Sequence, residues 1–503
     1  MPPSRQSSAA NRRQFLIAST AVAVSSIAGS EANAAGTGIV LQPGNRDLVR
    51  VRVEMEAKGN VNLPKNPLVS RKSSLKLPIQ TDALFDYEER YRRPPGAKPG
   101  SVVTAVERYY HEAESRSQLN QITHTQNLRD SVRETVVRRD TLPEVIYGVE
   151  DFFERDELEL LRLPASSVAA DELLPVEKVV SGSKYRPDSK VLTSVLNLTS
   201  VEATDVEAEV VSITNAAAMI QFQGKVDGSV EGVPTVIRVM GKLTFDRALR
   251  TSTWLAMALH ETREIGKAEP GFDVAATIKM IRKPLDATIA LSPTPTALDI
   301  TGPIPGDRLF VALRSDRLGL NALMDRRWRI MRDVPGSAMM RMIENDRSIG
   351  QCDLRPLTPL NDGEHWTLQA FQADVQNILG EQLDEFVEAE EQLSQSGLRV
   401  LRIVANGAVE GVPIRWVLLH LSDESGRRIL ATFTMEGQNI DTFAGSDMQL
   451  AGTLRFIQND DQDDVAPKEV ALNTANGEAN PRVAEAISGA NTTTEVQSTN
   501  ELR

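Results

Sequence analysis

Five runs in which apolar and β-branched residues return at nearly every second position constrain this chain more than any other feature. They are AEVVSIT (208–214), AAMIQFQGKV (217–226), TVIRVMGKLTF (235–245), STWLAMALHETREI (252–265) and DVAATIKMI (273–281). Side chains of an extended strand alternate between faces, so such runs predict strands with one buried face. The connections are short and carry Asn215, Gly232 to Pro234, Asp246 to Arg250 and Pro270-Gly271, residues suited to turns. The expectation is an antiparallel meander that curls into a curved sheet or half-barrel with one apolar concave face. Ile220, Phe222, Val239, Leu243, Phe245, Trp254 and Leu259 are the candidates for that concave surface.

A second strand-rich region runs from Leu398 to Glu436. LRVLRIV leads to a turn expected at Asn406-Gly407, then VEGVPIRWVLLHL, a turn at SDESG, and RILATFTME. In the middle strand Ile414, Trp416, Leu418 and His420 face one way and Val417, Leu419 and Leu421 the other, so it needs cover on both sides. The word VEGVP also stands at 230–234, between two strands of the first region. Upstream, LFVALRS, RRWRIMR, AMMRMIE and SIGQCDL read as short strands. Leu368, Phe371, Val375, Ile378 and Leu379 form one helical stripe stopped by Gly380. An acidic amphipathic piece reaches Gln395, and a short helix falls between Phe443 and Phe456. These elements predict an α/β sandwich around an antiparallel sheet, and the whole chain is of α+β class.

The rest is less regular. Residues 35 to 104 read as short strands with proline-rich connections. Residues 101 to 140 carry a thin stripe, with Val103, Val106, Tyr109 and Tyr110, that fits two amphipathic helices or a strand-rich segment. Asp156 to Gly182 reads as a helix followed by a proline-marked loop. A single core stops growing near roughly 250 to 300 residues, so 503 residues imply more than one domain. The expected division is a β-rich domain at 35–291, a proline-rich linker at 292–306, a sandwich domain at 307–457 and a disordered acidic tail at 458–503 beginning near DDQDD.

The order of RRWRIM, SIGQCDL, the helix LQAFQADVQNILG, LRVLRIV, VPIRWVLLHLS, GRRILATFTME and DMQLAGTLRF resembles the PsbP-like fold, shared by photosystem extrinsic proteins and a nuclear Ran-binding factor. The likeness covers residues 306 to 457, and it implies an adaptor or binding module with no site residues carried over. The meander, with its upstream LLP loop, looks like the curved lipoprotein-carrier sheets of bacterial envelopes at the level of pattern.

Arg12 and Arg13 precede Phe15 and Leu16, a small apolar run follows to Gly29, and Ala32-Asn33-Ala34 forms a small-x-small cleavage site. This reads as an export signal with cleavage expected after Ala34, the alternative being a retained anchor. The paired arginines resemble a twin-arginine signal, with Asn11 and Ile17 departing from its pattern, and the general secretory route stays open. The run falls short of the ~20 residues of a membrane span, so no transmembrane segment is expected in the mature chain. The expected location is the bacterial periplasm or the exterior. The lone Cys352 excludes an internal disulfide and cysteine-built metal sites. A net charge of -13 argues against nucleic acid as a partner.

No catalytic constellation emerges. His260-Glu261-Thr262-Arg263-Glu264 approaches HExxH, yet ligands four residues apart share a face only on a helix, and this segment reads as a strand. His111 with Glu112 and Glu114 reads as an exposed polar face and His420 as a hydrogen-bonded core or edge histidine, while His124 and His365 lack a recognisable setting. Cys352 lies in an apolar strand. Asp384 and Glu388 to Glu391 read as a solvated helix face. Arg326, Arg327, Arg329 and Arg332 flank Trp328 and read as a solvated outer face, or one that meets an acidic partner or the chain's own tail. There is no GxSxG elbow and no phosphate loop. The expectation is therefore a non-enzymatic, cofactor-free, exported binding or adaptor protein whose partner is an envelope protein. The alternatives are a carrier of a lipid or other hydrophobic ligand on the concave face, and an enzyme of unrecognised type.

Overall fold

The computed structural model describes residues 38–44, 47–64, 75–93, 96, 103–293, 302–361, 363–443 and 445–457. Arg12, Arg13, Ala32 and Ala34, expected to belong to an export signal, and the expected acidic tail lie outside them, as does most of the expected proline-rich linker. The chain is mostly β, with a large antiparallel sheet, two separate antiparallel sheets and few helices.

The large sheet has 13 strands. They are β1 (Leu48–Leu63), β2 (Leu75–Arg92), β3 (Ala105–Leu119), β4 (Ile122–Asn127), β5 (Glu134–Arg138), β6 (Val145–Gly148), β7 (Lys184–Tyr185), β8 (Ser200–Thr204), β9 (Glu207–Ile213), β10 (Ala217–Val230), β11 (Val233–Asp246), β12 (Thr251–Arg263) and β13 (Gly271–Pro284). The predicted meander is β9 to β13, and its last strand pairs with β1, which continues the order through β2 and β3. β1 and β2, expected to be short, span 16 and 18 residues because they pair along their whole length. Alternation is strict in β1, where Val49, Val51 and Val53 are buried and Arg50 and Arg52 turn outward. Each such valine contributes roughly 1.5 to 3 kcal/mol on leaving water.

Residues 105–119 and 122–127 are strands and not helices, joined by a turn at Asn120 and Gln121. A bulge opposite Asp86 and Tyr87 inserts one residue at His111, so the inward side chains are Val106 and Tyr110 before it and Ala113 after it. That spacing of four and three imitates a helix, which is why the pattern misleads.

Strands from both ends of this open sheet share one core with the segment between β6 and β8. That segment holds α1 (Arg155–Leu160), a 3-10 turn at Ala169–Leu173 and α2 (Ser189–Leu196). The sheet thus curls around a plug whose Phe153, Leu158, Val168, Leu173, Leu192 and Val195 occupy its concave side.

The remaining strands form a seven-stranded and a three-stranded sheet. They are β14 (Phe310–Ser315), β15 (Leu320–Asp325), β16 (Trp328–Val334), β17 (Ser337–Glu344), β18 (Arg347–Leu357), β19 (Leu383–Leu393), β20 (Arg399–Val409), β21 (Val412–Ser422), β22 (Arg428–Glu436) and β23 (Arg455–Phe456), with helices α3 (Leu368–Leu379), α4 (Ile440–Phe443) and α5 (Ser446–Thr453). The seven-stranded order is β16-β17-β18-β22-β21-β20-β19. One face packs on β14, β15, α4 and α5 through Val417, Leu419 and Leu421; the other packs under α3 through Trp416, Leu418 and Phe371. The doubly apolar β21 is the reason for this sandwich. α3 starts where the Thr367 hydroxyl accepts from the Ala370 N–H, and Gly380 stops it at φ 52°.

Two further local expectations are corrected. The β20–β21 turn is at Glu410-Gly411, with φ 50° and 81°, and Asn406 and Gly407 lie within β20 opposite Arg415 and Ile414. The identical word at 230–234 also makes a two-residue turn, with Glu231 at 50° and Gly232 at 87°. Asp384 and Glu388 to Glu391 lie on the edge strand β19 and not on a helix; its two bulges again break the alternation and imitate a helical spacing.

Candidate functional site: the mouth of the curled sheet

The plug is held to the sheet by charge as well as by apolar contact. Inside the curl Glu89 is fully buried and accepts from the hydroxyls of Ser167 at 2.7 Å and Tyr91 at 2.9 Å, and from Arg108 Nε at 3.1 Å. Arg282, 2 % exposed, donates to the Tyr91 hydroxyl at 2.6 Å, to the Asp171 carboxylate at 3.0 Å and to the Ser252 carbonyl at 2.9 Å. Asp171 also accepts from the Ser252 N–H at 2.7 Å and the Thr251 hydroxyl at 3.2 Å. Two carboxylates therefore face two guanidiniums, and each charge has hydrogen bonds to the other or to neighbouring dipoles. Such pairing is what a buried charged group requires, and Nε of Arg282 is left without a partner. Burial pushes the phenol of Tyr91 well above its usual value, so it stays a donor to Glu89. Burial opposes the charge on Arg282, and the Asp171 carboxylate more than offsets it. A second pair of bonds ties Arg139 to Glu144 and Glu172, each at 2.8 Å.

Beside this network, at the mouth of the curl, lies a cavity of about 490 Å³. Its apolar wall is Leu41, Val103, Val168, Leu174, Pro175 and Val176. The strap from Ile39 to Gly44 closes one side. Its Ile39 exchanges backbone hydrogen bonds with Val179 of the plug, at 2.9 and 2.8 Å, and the Gly44 N–H donates to the Arg250 carbonyl at 2.7 Å. Arg250, at φ 53°, returns its guanidinium to the carbonyls of Gln42 and Pro43. Of the polar residues that border the cavity, Tyr91, Asp171, Glu172 and Thr251 are bonded within the network, while Gln42, Arg250 and Arg93, the last paired with Asp47, lie outside it. Chemically the cavity offers an apolar wall, with the acids Asp171 and Glu172 paired to arginines and, on the strap side, the Arg250 guanidinium, which has no carboxylate partner among the described residues. Such a space suits an uncharged, apolar guest, and its volume falls within the range of small-molecule pockets, ~300 to 1,000 Å³.

The residues singled out from the sequence fall elsewhere. Ile220, Phe222, Val239, Leu243, Phe245 and Leu259 are buried on the concave side, but under the plug. Trp254 is half-buried on the outward face, because alternation from Leu255, Met257 and Leu259 turns it away from the core. His260 is on strand β12, 3.1 Å from Asp273 across the outer face. His111 meets Glu88 at 3.0 Å, while Glu112 and Glu114 stay exposed. Glu88 also accepts from the N–H groups of Ile289, Ala290 and Leu291. Burial opposes its charge, yet these donors and His111 outweigh that and hold its carboxyl below the usual value. His124 stands 3.8 Å from Asp156 on the surface and His365 is exposed. Cys352 is buried, which pushes its thiol up. Among the described residues no group of three or more His, Cys, Asp or Glu is placed to hold a metal ion. None of the helices formed by those residues is long and apolar enough to cross a membrane.

The histidine expected to be hydrogen-bonded is not. His420 is fully buried with neither ring nitrogen partnered, packed against Trp366 and Phe371 at ring distances of 5.0 and 5.9 Å. The arginines expected on a solvated face are also placed differently. Arg329, 7 % exposed, pairs with Glu231 at 2.5 Å and Glu269 at 3.3 Å, residues of the large-sheet region. Arg326 donates to the carbonyls of Ile146, Arg308 and Leu309, and Arg327 pairs with Asp325 and Glu344. Arg332 alone of the four remains exposed without such a contact. Sequence reading missed Glu89, Asp171 and Arg282; one signal was present, a charged residue at an inward position of a strand otherwise alternating Ile278, Met280 and Arg282.

No family model matches the chain, and no curated protein matches it. Parts of the chain are similar to solved structures at low scores. A protein of Bacteroides thetaiotaomicron is 12 % identical over 30 % of this chain and 49 % of its own, with a TM-score of 0.23. The chain thus spans about half the length of that protein. A point mutant of the protein Mog1, of PsbP-like fold, is 8 % identical over 30 % of this chain and 97 % of its own, at 0.24. The outer membrane protein opdK of Pseudomonas aeruginosa is 11 % identical over 78 % and 98 %, at 0.11. At these TM-scores the likenesses assign the chain to no family.

Proposed function

We propose that this chain is an exported, non-enzymatic binding protein of the bacterial envelope that holds a small hydrophobic ligand at the mouth of its curled sheet. The observation that carries the reading is the cavity of about 490 Å³, apolar along one wall and bordered by acids already paired with Arg282 and Arg139. The concave face itself is filled by the chain's own plug, so the guest sits beside the plug, between it and the strap. The curl around a helical plug also supports the likeness to lipoprotein-carrier sheets. The strand order around α3 supports a PsbP-like arrangement for residues 306 to 457, a module that adds a binding surface of its own.

The test is native mass spectrometry of the protein purified from bacteria, with titration of the neutral fluorophore N-phenyl-1-naphthylamine. Wild type is expected to carry extractable lipid or to bind the probe, and V40W/V176W to lose at least tenfold in affinity. Val40 and Val176 line the cavity at 49 % and 93 % exposure, so these substitutions fill it without disturbing the core. Equal binding by wild type and variant would refute the site.

A further inference from the structure

The outward face of the large sheet carries a surface that the cavity does not use. On β11, β12 and β13 the residues alternating away from the core are Arg238, Met240 and Lys242, then Trp254, Ala256 and Ala258, then Thr277, Lys279, Ile281 and Lys283. The registers set them side by side: Lys242 beside Ala256 and Ala256 beside Lys279, Met240 beside Ala258, Trp254 beside Ile281. Cations thus surround an apolar centre in which Met240 is 53 % and Ile281 54 % exposed.

Arg238, Lys242, Lys279 and Lys283 are exposed, and among the described residues none has an ion-pair partner. The nearest outward acids on these strands stand at their ends and are engaged, Asp246 by the N–H groups of Ala248 and Leu249 and Asp273 by His260. On the neighbouring strand β1 the outward Glu54, bonded to Arg52, stands opposite Lys279 and the exposed Glu56 opposite Thr277, so in a chain of net charge -13 the cationic face runs over β11 to β13 and ends at β1. A like-charged solvated surface would not leave Met240 and Ile281 exposed between its cations, with the half-buried Trp254 beside Ile281.

The chemistry that fits combines negative charge with an apolar layer just behind it, and it must tolerate evenly spread cations instead of a fitted pocket. An anionic bilayer has both properties: acidic headgroups attract lysines without directional demands, and the headgroup boundary accepts tryptophan and aliphatic side chains. We propose that the outward face of β11 to β13 docks on membranes rich in anionic phospholipid, with the four cations among the headgroups and Trp254, Met240 and Ile281 at the acyl boundary. The assignment stands whether or not the cavity holds a ligand.

Co-sedimentation of the full chain with phosphatidylcholine vesicles, with and without 30 mol % phosphatidylglycerol, tests it. Binding is expected only with phosphatidylglycerol and is expected to weaken as salt screens the charges. At about fivefold per cation near the surface, R238Q/K242Q/K279Q/K283Q should bind at least fiftyfold more weakly. I281S should weaken binding even at high salt, and a control, K178Q/R186Q/K190Q, which neutralises exposed cations outside this face, should retain most of it. All the substituted positions, on the face and in the control, are exposed, and circular dichroism checks that the variants fold. No binding to either vesicle, equal loss in the control, or binding that appears only when residues 458–503 are removed would overturn the proposal, the last by assigning the face to the acidic tail.

Discussion

His420 shows how one residue makes stability depend on pH. Burial pushes its pKa down to about 4, with Arg428 and Arg399 adding to the shift, because an imidazolium there would lose its hydration and face two guanidiniums. The folded pKa lies below the unfolded value of about 6.5, so the unfolded chain binds the proton more readily. The stability associated with neutral His420 is therefore complete above about pH 6.5 and is lost as pH falls toward 4. The full loss is on the order of 3 kcal/mol. Replacing His420 with Phe is expected to flatten that part of the profile, measured as the difference in urea-unfolding free energy between about pH 7.5 and 4.5 for wild type and variant. An unchanged difference would show that other groups dominate acid sensitivity. In the same aromatic surroundings an uncharged ring also removes two unpartnered polar atoms, so H420F should be no less stable than wild type at neutral pH.

At the scale of elements, the two VEGV turns separate local from tertiary demands. In each, Glu takes a left-handed conformation followed by Gly at φ 81° or 87°, the combination that a two-residue hairpin needs. A Cβ added at Gly411 meets nothing within 4 Å, whereas at Gly232 it would lie 2.4 Å from the Asn345 carbonyl carbon. Gly411→Ala should cost only the left-handed backbone penalty, about 1 to 2 kcal/mol, and Gly232→Ala clearly more, because backbone must shift. Chemical denaturation of the two variants gives the comparison, and equal costs would contradict the close approach at Asn345. The edge strand β19 makes a related point. Its bulges and its run of acids leave the backbone a poor template for a further strand, as edge strands require, and the same bulges hid it from a reading by periodicity.

For the whole molecule, the junction between the large-sheet region and the sandwich is built from arginines. Arg155 donates to the carbonyls of Arg326 and Trp328, Arg162 and Arg329 share Glu231, and the Ala312 N–H bonds the Phe153 carbonyl at 2.8 Å. Burial and the neighbouring arginines push Arg155 and Arg326 down to about 10. Burial opposes the charge on Glu231, but Arg162 and Arg329 bring its carboxyl down to about 2. That stabilisation is present above the ordinary carboxylate range and is lost as pH falls toward 2. Glu231→Gln leaves the buried Arg329 and the half-buried Arg162 with Glu269 and Glu159 as their remaining carboxylates, and a loss of about 1 to 3 kcal/mol is expected. Calorimetry should show the unfolding endotherm broadening or splitting as the two regions uncouple, while a single unchanged transition would show that Glu231 does not couple them.

By itself the sequence determined the strands β9 to β13 and β20 to β22, whose apolar runs stay legible although β9 and β12 each carry a bulge near one end, and the helix α3 with Thr367 and Gly380 at its ends. These follow from periodicity and capping, which are properties of neighbouring residues. Only the tertiary structure decided that 105–119 and 383–393 are strands, because a bulge is defined by the partner strand and not by the chain that carries it. The same holds for Arg329, which found carboxylates on Glu231 and Glu269, far back along the chain, and for the mouth cavity, assembled from Leu41, Val103, Val168 and Val176. A charged or apolar side chain carries no local mark of what it will meet, since its environment is set by contacts that form only when distant segments fold together.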